Sequence, residues 1–345
     1  NFRNIIINGD MSIAQRGTSF TGLSNGDSQY TLDRFKFQEA GAPTYQFTLS
    51  QDTDVPTGQG FAKSLKMDCT TAQSSLAAAD GLRIEQRFEG QNLQYLKKGT
   101  SSAESLTLSF WVKSNKTGTY IAEIFDNDNS RQISKAYTID SANTWEKKTM
   151  TYAGDTSGSL DNDNSHSLDV RLWLGAGSNF TSGTLNTSWN TSTNANRIVG
   201  QVNLADSTSN EWYITGVQLE AGEVASDFEF LPFDVNLQRC QRYYQKTYDL
   251  SDAVGNTSVS SGYNAYQIDD GALQRNGVRH LIRMRTNPSV TIYNPSTGST
   301  ASVRTNSGNN YSASTFAGGE NGYFISYTPA NGQYVFFHHT ADAEL

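Results

Sequence analysis

Residues 210–248 read NEWYITGVQLEAGEVASDFEFLPFDVNLQRCQRYYQKTY. From Trp212 to Leu219, β-branched and aromatic residues alternate roughly with others, the two-residue period of a strand, and Glu220-Ala221-Gly222-Glu223 then breaks it. After Phe233 the period changes. Apolar side chains return at Leu237, Cys240 and Tyr244, at spacings of four, three and four, while Gln238, Arg239, Gln241, Arg242, Gln245 and Lys246 fill the other face. That spacing predicts a helix of about three to four turns over 233–248, capped by Asp234. No other stretch has so clear a helical period. The expected fold is all-β: an antiparallel jelly-roll-like β-sandwich over 1–232, a linking helix over 233–248 and a smaller C-terminal β domain over 249–345.

Composition agrees with this division. A chain of 345 residues is long enough for two domains with cores of their own. Hydrophobic residues make up 36%, beside 29 Gly and abundant Ser, Thr, Asn and Asp, which suits short strands joined by polar turns rather than helical bundles. The formal net charge of −8 comes without any Lys/Arg run, so neither nucleic acid nor an anionic membrane surface is expected as a partner. No stretch approaches the roughly 18 apolar residues of a membrane span, and no charged-then-apolar leader opens the chain. A soluble protein without membrane insertion or secretory signal is expected. Cys69 and Cys240 are too few for a disulfide framework; Cys240 reads as a small buried hydrophobe, and a cytoplasm would keep both reduced.

The central strands are legible. Leu106, Leu108, Phe110 and Val112 share one face of a strand and Thr107, Ser109, Trp111 and Lys113 the other. Leu168, Val170, Leu172 and Leu174 repeat the scheme against Asp169, Arg171 and Trp173. The apolar faces are expected to pack on a second sheet and the others to meet solvent or ligand. Beyond the helix, Leu281–Arg285, Val290–Tyr293, Phe324–Tyr327 and Gln333–His339 read as strands, the last two joined through a tight Asn331-Gly332 turn. Asn294-Pro295-Ser296 and the run from Ser307 to Ser314 read as exposed loops.

The usual catalytic signatures are missing. There is no G-x-S-x-G elbow, P-loop or H-E-x-x-H, and Gly175-Ala176-Gly177 lacks the third glycine of a dinucleotide loop. His338 and His339 are adjacent in a strand and point to opposite faces, so they do not share a metal. The 34 acids supply no distinctive pair for glycoside cleavage. A non-enzyme is expected. Two runs, Asp126-Asn127-Asp128-Asn129-Ser130 and Asp161-Asn162-Asp163-Asn164-Ser165, set oxygen ligands at alternate positions. Arg131 and His166 stand where an EF-hand needs glycine, leaving two readings: solvated turns, or a calcium site outside that family held by Asp126, Asp128, Asp161 and Asp163. No other cofactor is expected.

The residues GVQLEAGEVASDFEFLP (216–232) and LQRCQRYYQKTY (237–248) resemble a module near the ends of bacteriophage tail and tail-fibre proteins. NIIINGDMSIAQRGTSF, YTLDRF, WEKKTMTYAGDTSGSLDNDN and LWLGAGSNFTSGTLNTSW upstream, and RMRTNPSVTIYNP and TADAEL downstream, resemble the same proteins, so the likeness spans nearly the whole chain. It implies a virion protein, a tail fibre or receptor-binding protein assembled in the host cytoplasm. Its implied partners are host cell-surface polysaccharide and other virion proteins, in a homotrimer whose linked copies raise avidity. The chain opens on Asn1 rather than Met; in a tail fibre, a preceding portion would hold the attachment to the particle. The opening residues are also similar to those of sugar-binding β-sandwich modules, whose first strand pairs with a late one near a structural calcium. Trp212 to Leu219 is the corresponding late strand, with Thr215 and Gly216 where such modules often place acids.

Sugars present hydroxyls around apolar C–H faces, so their sites join an aromatic platform to hydrogen-bonding side chains. Trp111 beside Lys113, and Trp173 beside Asp169 and Arg171, offer that mixture and are the expected carbohydrate-binding residues. The alternative is that these tryptophans are covered or lie in the core. Two further function classes stay open: a structural assembly protein without a ligand, and a tail-associated depolymerase.

Overall fold

In a computed structural model of the chain, which describes residues 2–24, 26–259, 262–268, 272–330 and 332–345, the alternating stretches become strands of antiparallel sheets. Two compact units result: Asn1–Ser12, Thr18–Pro232 and Leu345 make one, Ile13–Gly17 and Phe233–Glu344 the other.

The first unit begins with β1 (Ser19–Leu23), β2 (Ser28–Tyr30), β3 (Lys36–Ala40), β4 (Gln46–Asp52), β5 (Ser64–Thr71) and β6 (Gly81–Glu89). It continues with β7 (Leu106–Ser114), β8 (Gly118–Asp126), β9 (Arg131–Ile139), β10 (Glu146–Tyr152), β11 (His166–Ala176), β12 (Asn190–Thr191) and β13 (Glu211–Ala221). One sheet runs β1-β4-β5-β13-β7-β10 and the other β12-β9-β8-β11-β6-β3-β2. Leu108, Phe110 and Val112 of β7, and Leu168, Val170 and Leu172 of β11, are buried as their alternation predicts. The sheets meet through such residues: Phe110 of β7 packs edge-on against Tyr137 of β9 at 5.1 Å.

The stretch that organises the sequence also organises this unit. The Ile5 N–H donates to the Leu219 carbonyl at 2.8 Å and the Val217 N–H to that of Gly9 at 2.9 Å, which lays the N-terminal segment along β13. Asn4 locks it by accepting from the Ile6 and Leu219 N–H groups at 3.0 and 3.1 Å. Polar residues at the end of β13 close the loop behind it. Glu220 accepts from Ser226 N–H at 2.8 Å and Oγ at 2.6 Å, and Gln218 accepts from the Glu229 N–H at 2.8 Å. Gly216 is required by geometry, since its φ is +62° and a Cβ there would lie 2.5 Å from the Phe61 ring.

In the second unit the strands are β14 (Tyr244–Lys246), β15 (Asn264–Gln267), β16 (Gln274–Arg279), β17 (Ser289–Tyr293), β18 (Ser302–Thr305), β19 (Asn310–Gly319), β20 (Gly322–Tyr327) and β21 (Tyr334–Asp342). β21 is the spine. Its first half pairs with β15 and β18, its second half with β14 and β17. Ile292, Val303, Ile325, Val335 and Phe337 form the core beside it.

Several expectations are corrected. The helix covers Phe233–Gln241 and stops short of 248, because the aromatic run continues as β14 and pairs with Thr340–Asp342. Asp234 sits inside the first turn rather than at the cap. The buried helical positions are Asn236 and Cys240, while Phe233 is 54% exposed, so the covered stripe is rotated from the apolar one. Leu281–Arg285 is irregular, with Leu281 71% exposed. The polar run from Ser307, expected as loop through Ser314, becomes strand from Asn310, where cross-strand pairing with β18 and β20 outweighs its composition. The Asn331-Gly332 turn lies outside the described residues.

Candidate functional site

The second face of β11 is not open. Cross-strand register sets Lys36, Glu85, Arg171 and Glu123 in one row over β3, β6, β11 and β8, a ladder of alternating charge. Arg171 bonds Asp169 at 2.6 Å, and Arg83 bonds Glu85 at 2.7 Å. Glu123 accepts from Arg197 twice at 2.8 Å and from the Trp173 indole N–H at 2.9 Å. Burial alone would raise the pKa of Glu85, Glu123 and Asp169. The guanidinium groups around them outweigh it and hold all three low.

This arrangement corrects one expectation. The structure brings Asp169, Arg171 and Trp173 together, but Trp173 is 0% exposed, under Ile198 and Phe180. Its ring offers no platform to a sugar, and the charges beside it are spent on each other.

The outer face of the six-stranded sheet is different. Lys113 and Tyr213 are cross-strand partners on β7 and β13, and Tyr213 in turn faces Lys66 on β5. Trp145, just before β10, completes the group: its ring lies 6.2 Å from Tyr213 and its N–H donates to Asp54 at 2.9 Å. Lys113 also pairs with Asp54, and its ammonium stands 4.2 Å over the Tyr213 ring. Glu211 accepts from the Tyr213 hydroxyl at 2.8 Å and from Lys66 at 2.6 Å.

Unlike the buried ladder, this cluster reaches solvent. The Asp54 and Glu211 side chains are 45% and 37% exposed, and Trp145 is half-buried. Burial is the largest influence on each acid and raises it; hydrogen bonds from Lys113 and Trp145 for Asp54, and from Lys66 and Tyr213 for Glu211, outweigh it and keep both ionised. Burial and the Glu211 bond push the Tyr213 hydroxyl up to about 12, so it stays a donor. Chemically, the cluster combines two open carboxylates that accept hydroxyl protons, two ammonium groups and an indole face. Trp111 is half-buried on the same face, opposite Thr215 and Lys147. Sequence reading found Trp111 and Lys113 but missed Lys66, Trp145, Glu211, Tyr213 and Asp54. The first four are joined by strand register or by packing beside it, and Asp54 comes from a loop.

The acidic runs do not make a cation site. Lys98 bonds Asp126 and lies 2.9 Å from Asp155, which Arg131 holds at 2.7 Å. Asp128 accepts the Asp161 N–H at 2.9 Å, and Asp163 accepts that of Ser165 at 2.9 Å, as turn-forming side chains do. Lys98 thus supplies the positive charge a calcium ion would bring. Among the described residues no group of three or more His, Cys, Asp or Glu side chains is placed to hold a metal.

No protein-family model matches the chain, and no curated protein does. Solved structures give distant likenesses. The enzymatically active domain of tailspike protein 4 of bacteriophage CBA120 is 14% identical with a TM-score of 0.31, over 58% of this chain and 21% of that one. The match spans about a fifth of that solved chain. A family 11 carbohydrate-binding module of a Clostridium thermocellum cellulosomal cellulase is 10% identical with a TM-score of 0.30, over 60% of this chain and 96% of that one. The N-terminal cellulose-binding domain of a Cellulomonas fimi β-1,4-glucanase is 12% identical with a TM-score of 0.29, over 55% and 90%. The all-β fold of this chain rests on its own strand pairing.

Proposed function

We propose that this chain is a non-catalytic bacteriophage virion protein, of a tail fibre or related part, that recognises a host surface glycan through the outer face of its six-stranded sheet. One observation carries the reading: Trp145 and Tyr213 stand beside the exposed carboxylates of Asp54 and Glu211. A pyranose lays its C–H face on the indole while its hydroxyls donate to the carboxylates. The resemblance of the quoted motifs to tail and tail-fibre proteins supports the virion setting. Host polysaccharides are repetitive, so a homotrimer presenting three such faces gains avidity from weak single contacts.

Purified chain should compete with the phage for adsorption to its host cells and release no reducing sugar from the host polysaccharide. Failure to compete at saturating concentration favours a purely structural role, and release of reducing sugar favours a depolymerase.

A further inference from the structure

Register separates the two faces of β19, β20 and β16. Ala313 of β19, Tyr323, Ile325 and Tyr327 of β20 and Val278 of β16 turn into the core of the second unit. The residues between them point the other way. Cross-strand pairs set Arg275, Ser326 and Ser314 in one outward row, Gly277, Phe324 and Phe316 in the next, and Arg279 with Gly322 in a third. This face is open: Phe316 and Phe324 are 39% and 45% exposed and stack at 5.5 Å, and Arg275 and Arg279 are exposed on either side of Gly277. The Arg275 guanidinium stands 5.7 Å over the Phe316 ring. A Cβ at Gly277 would meet the Phe324 ring at 3.7 Å, so the glycine leaves that ring uncovered between the two arginines.

The charge on this face is one-sided. Its three rows contain no acid, and among the described residues neither Arg275 nor Arg279 makes an ion pair, whereas Arg283 is held by Glu320 at 2.6 Å. In a chain of net charge −8 this is a local exception. Unneutralised guanidinium groups take carboxylates or phosphates in paired hydrogen bonds, and the phenylalanines between them offer stacking surface. Four strand residues separate the arginines, about 13 Å, which is longer than one sugar ring.

We infer that the outward face of β19, β20 and β16 binds a stretch of acidic polysaccharide. Arg275 and Arg279 take acid groups on separate sugars, and Phe316 and Phe324 carry the C–H faces of the rings between them. The choice of a polysaccharide over an acidic peptide rests on the glycan reading proposed for the first unit, while the face itself lies in the second and is tested apart from it.

The full chain would be titrated calorimetrically with tetramannuronate, a phosphomannan oligosaccharide, neutral mannotetraose, monomeric mannuronate and tetraglutamate. At least one acidic oligosaccharide is expected to bind about tenfold more tightly than the monomer, the effect of one further charge-assisted hydrogen bond, and more tightly still than mannotetraose; the better of the two identifies the acid group. Arg275→Gln and Arg279→Gln, both at exposed positions, should each cost about tenfold. Gly277→Thr should weaken binding with the charge unchanged, by crowding Phe324, and Trp145→Ala should leave it intact. Binding of neither acidic oligosaccharide, equal binding of mannotetraose, the monomer or tetraglutamate, affinity that survives loss of both arginines, or affinity lost with Trp145→Ala overturns the proposal. A chain that keeps this binding yet fails to compete with phage loses only the first reading.

Discussion

Glu123→Leu is expected to cost the first unit about 3–5 kcal/mol, the penalty for removing one partner from a buried ion network. Glu123 is 0% exposed and neutralises Arg197 through two 2.8 Å bonds while accepting the Trp173 indole. Without it, Arg197 and Arg171 lose a buried counter-charge and the indole N–H loses its acceptor. Glu123→Gln, which keeps the shape, should cost less. Replacing Arg197 together with Glu123 by leucine should recover part of the loss, because an apolar substitute removes the desolvation penalty along with the attraction. Urea unfolding followed by tryptophan emission measures this directly, since all five tryptophans lie in the first unit. A single variant as stable as wild type would mean the ladder is hydrated and the face open.

Acidification should unfold the second unit first. Burial pushes His338 down to about 4, against Asp252 and Asp249, which favour its charged form. Burial, with His280 and His338 nearby, pushes His339 down to about 3. Unfolded, both rings titrate near 6.5. Above that pH neither state binds the protons and the stability is fully present; as pH falls from about 6.5 toward 4 and 3, only the unfolded state takes them up. Each such proton removes about 1.4 kcal/mol per pH unit. His338 stacks on Tyr248 at 3.8 Å and bonds Thr247 at 3.0 Å, and His339 contacts Asn264 at 3.1 Å, so charging either ring disturbs the environment of β21. In the first unit the buried acids are held low, which preserves its stability until more acid conditions. Hydrogen exchange at pH 5 should therefore open the second unit while tryptophan emission stays native, and His339→Gln should flatten the pH dependence. Parallel loss of both units would contradict this assignment.

The parts of the fold legible in sequence were those where one local pattern decides the outcome. Leu106 to Val112 and Leu168 to Leu174 alternate cleanly, and their apolar faces are buried. The chemistry of the opposite faces was not legible, because it depends on what crosses from other strands. Asp169, Arg171 and Trp173 look like a solvent-facing set until register brings Glu85 and Glu123 beside them and Phe180 over them. Lys113 stands two residues from Trp111 in sequence, yet its ammonium is positioned by Asp54 and Tyr213, 59 and 100 residues away. In the second unit, short polar strands such as Asn310–Gly319 carry little hydrophobic period and are fixed by pairing instead.

Binding of purified host polysaccharide by wild type, Trp145→Ala and Trp173→Ala tests the central claim most directly. Trp145→Ala is expected to lose binding and keep its melting temperature, whereas Trp173→Ala, at a buried site, should melt far lower. Undiminished binding by a folded Trp145→Ala chain would contradict the assignment of the glycan site to the outer face of the six-stranded sheet.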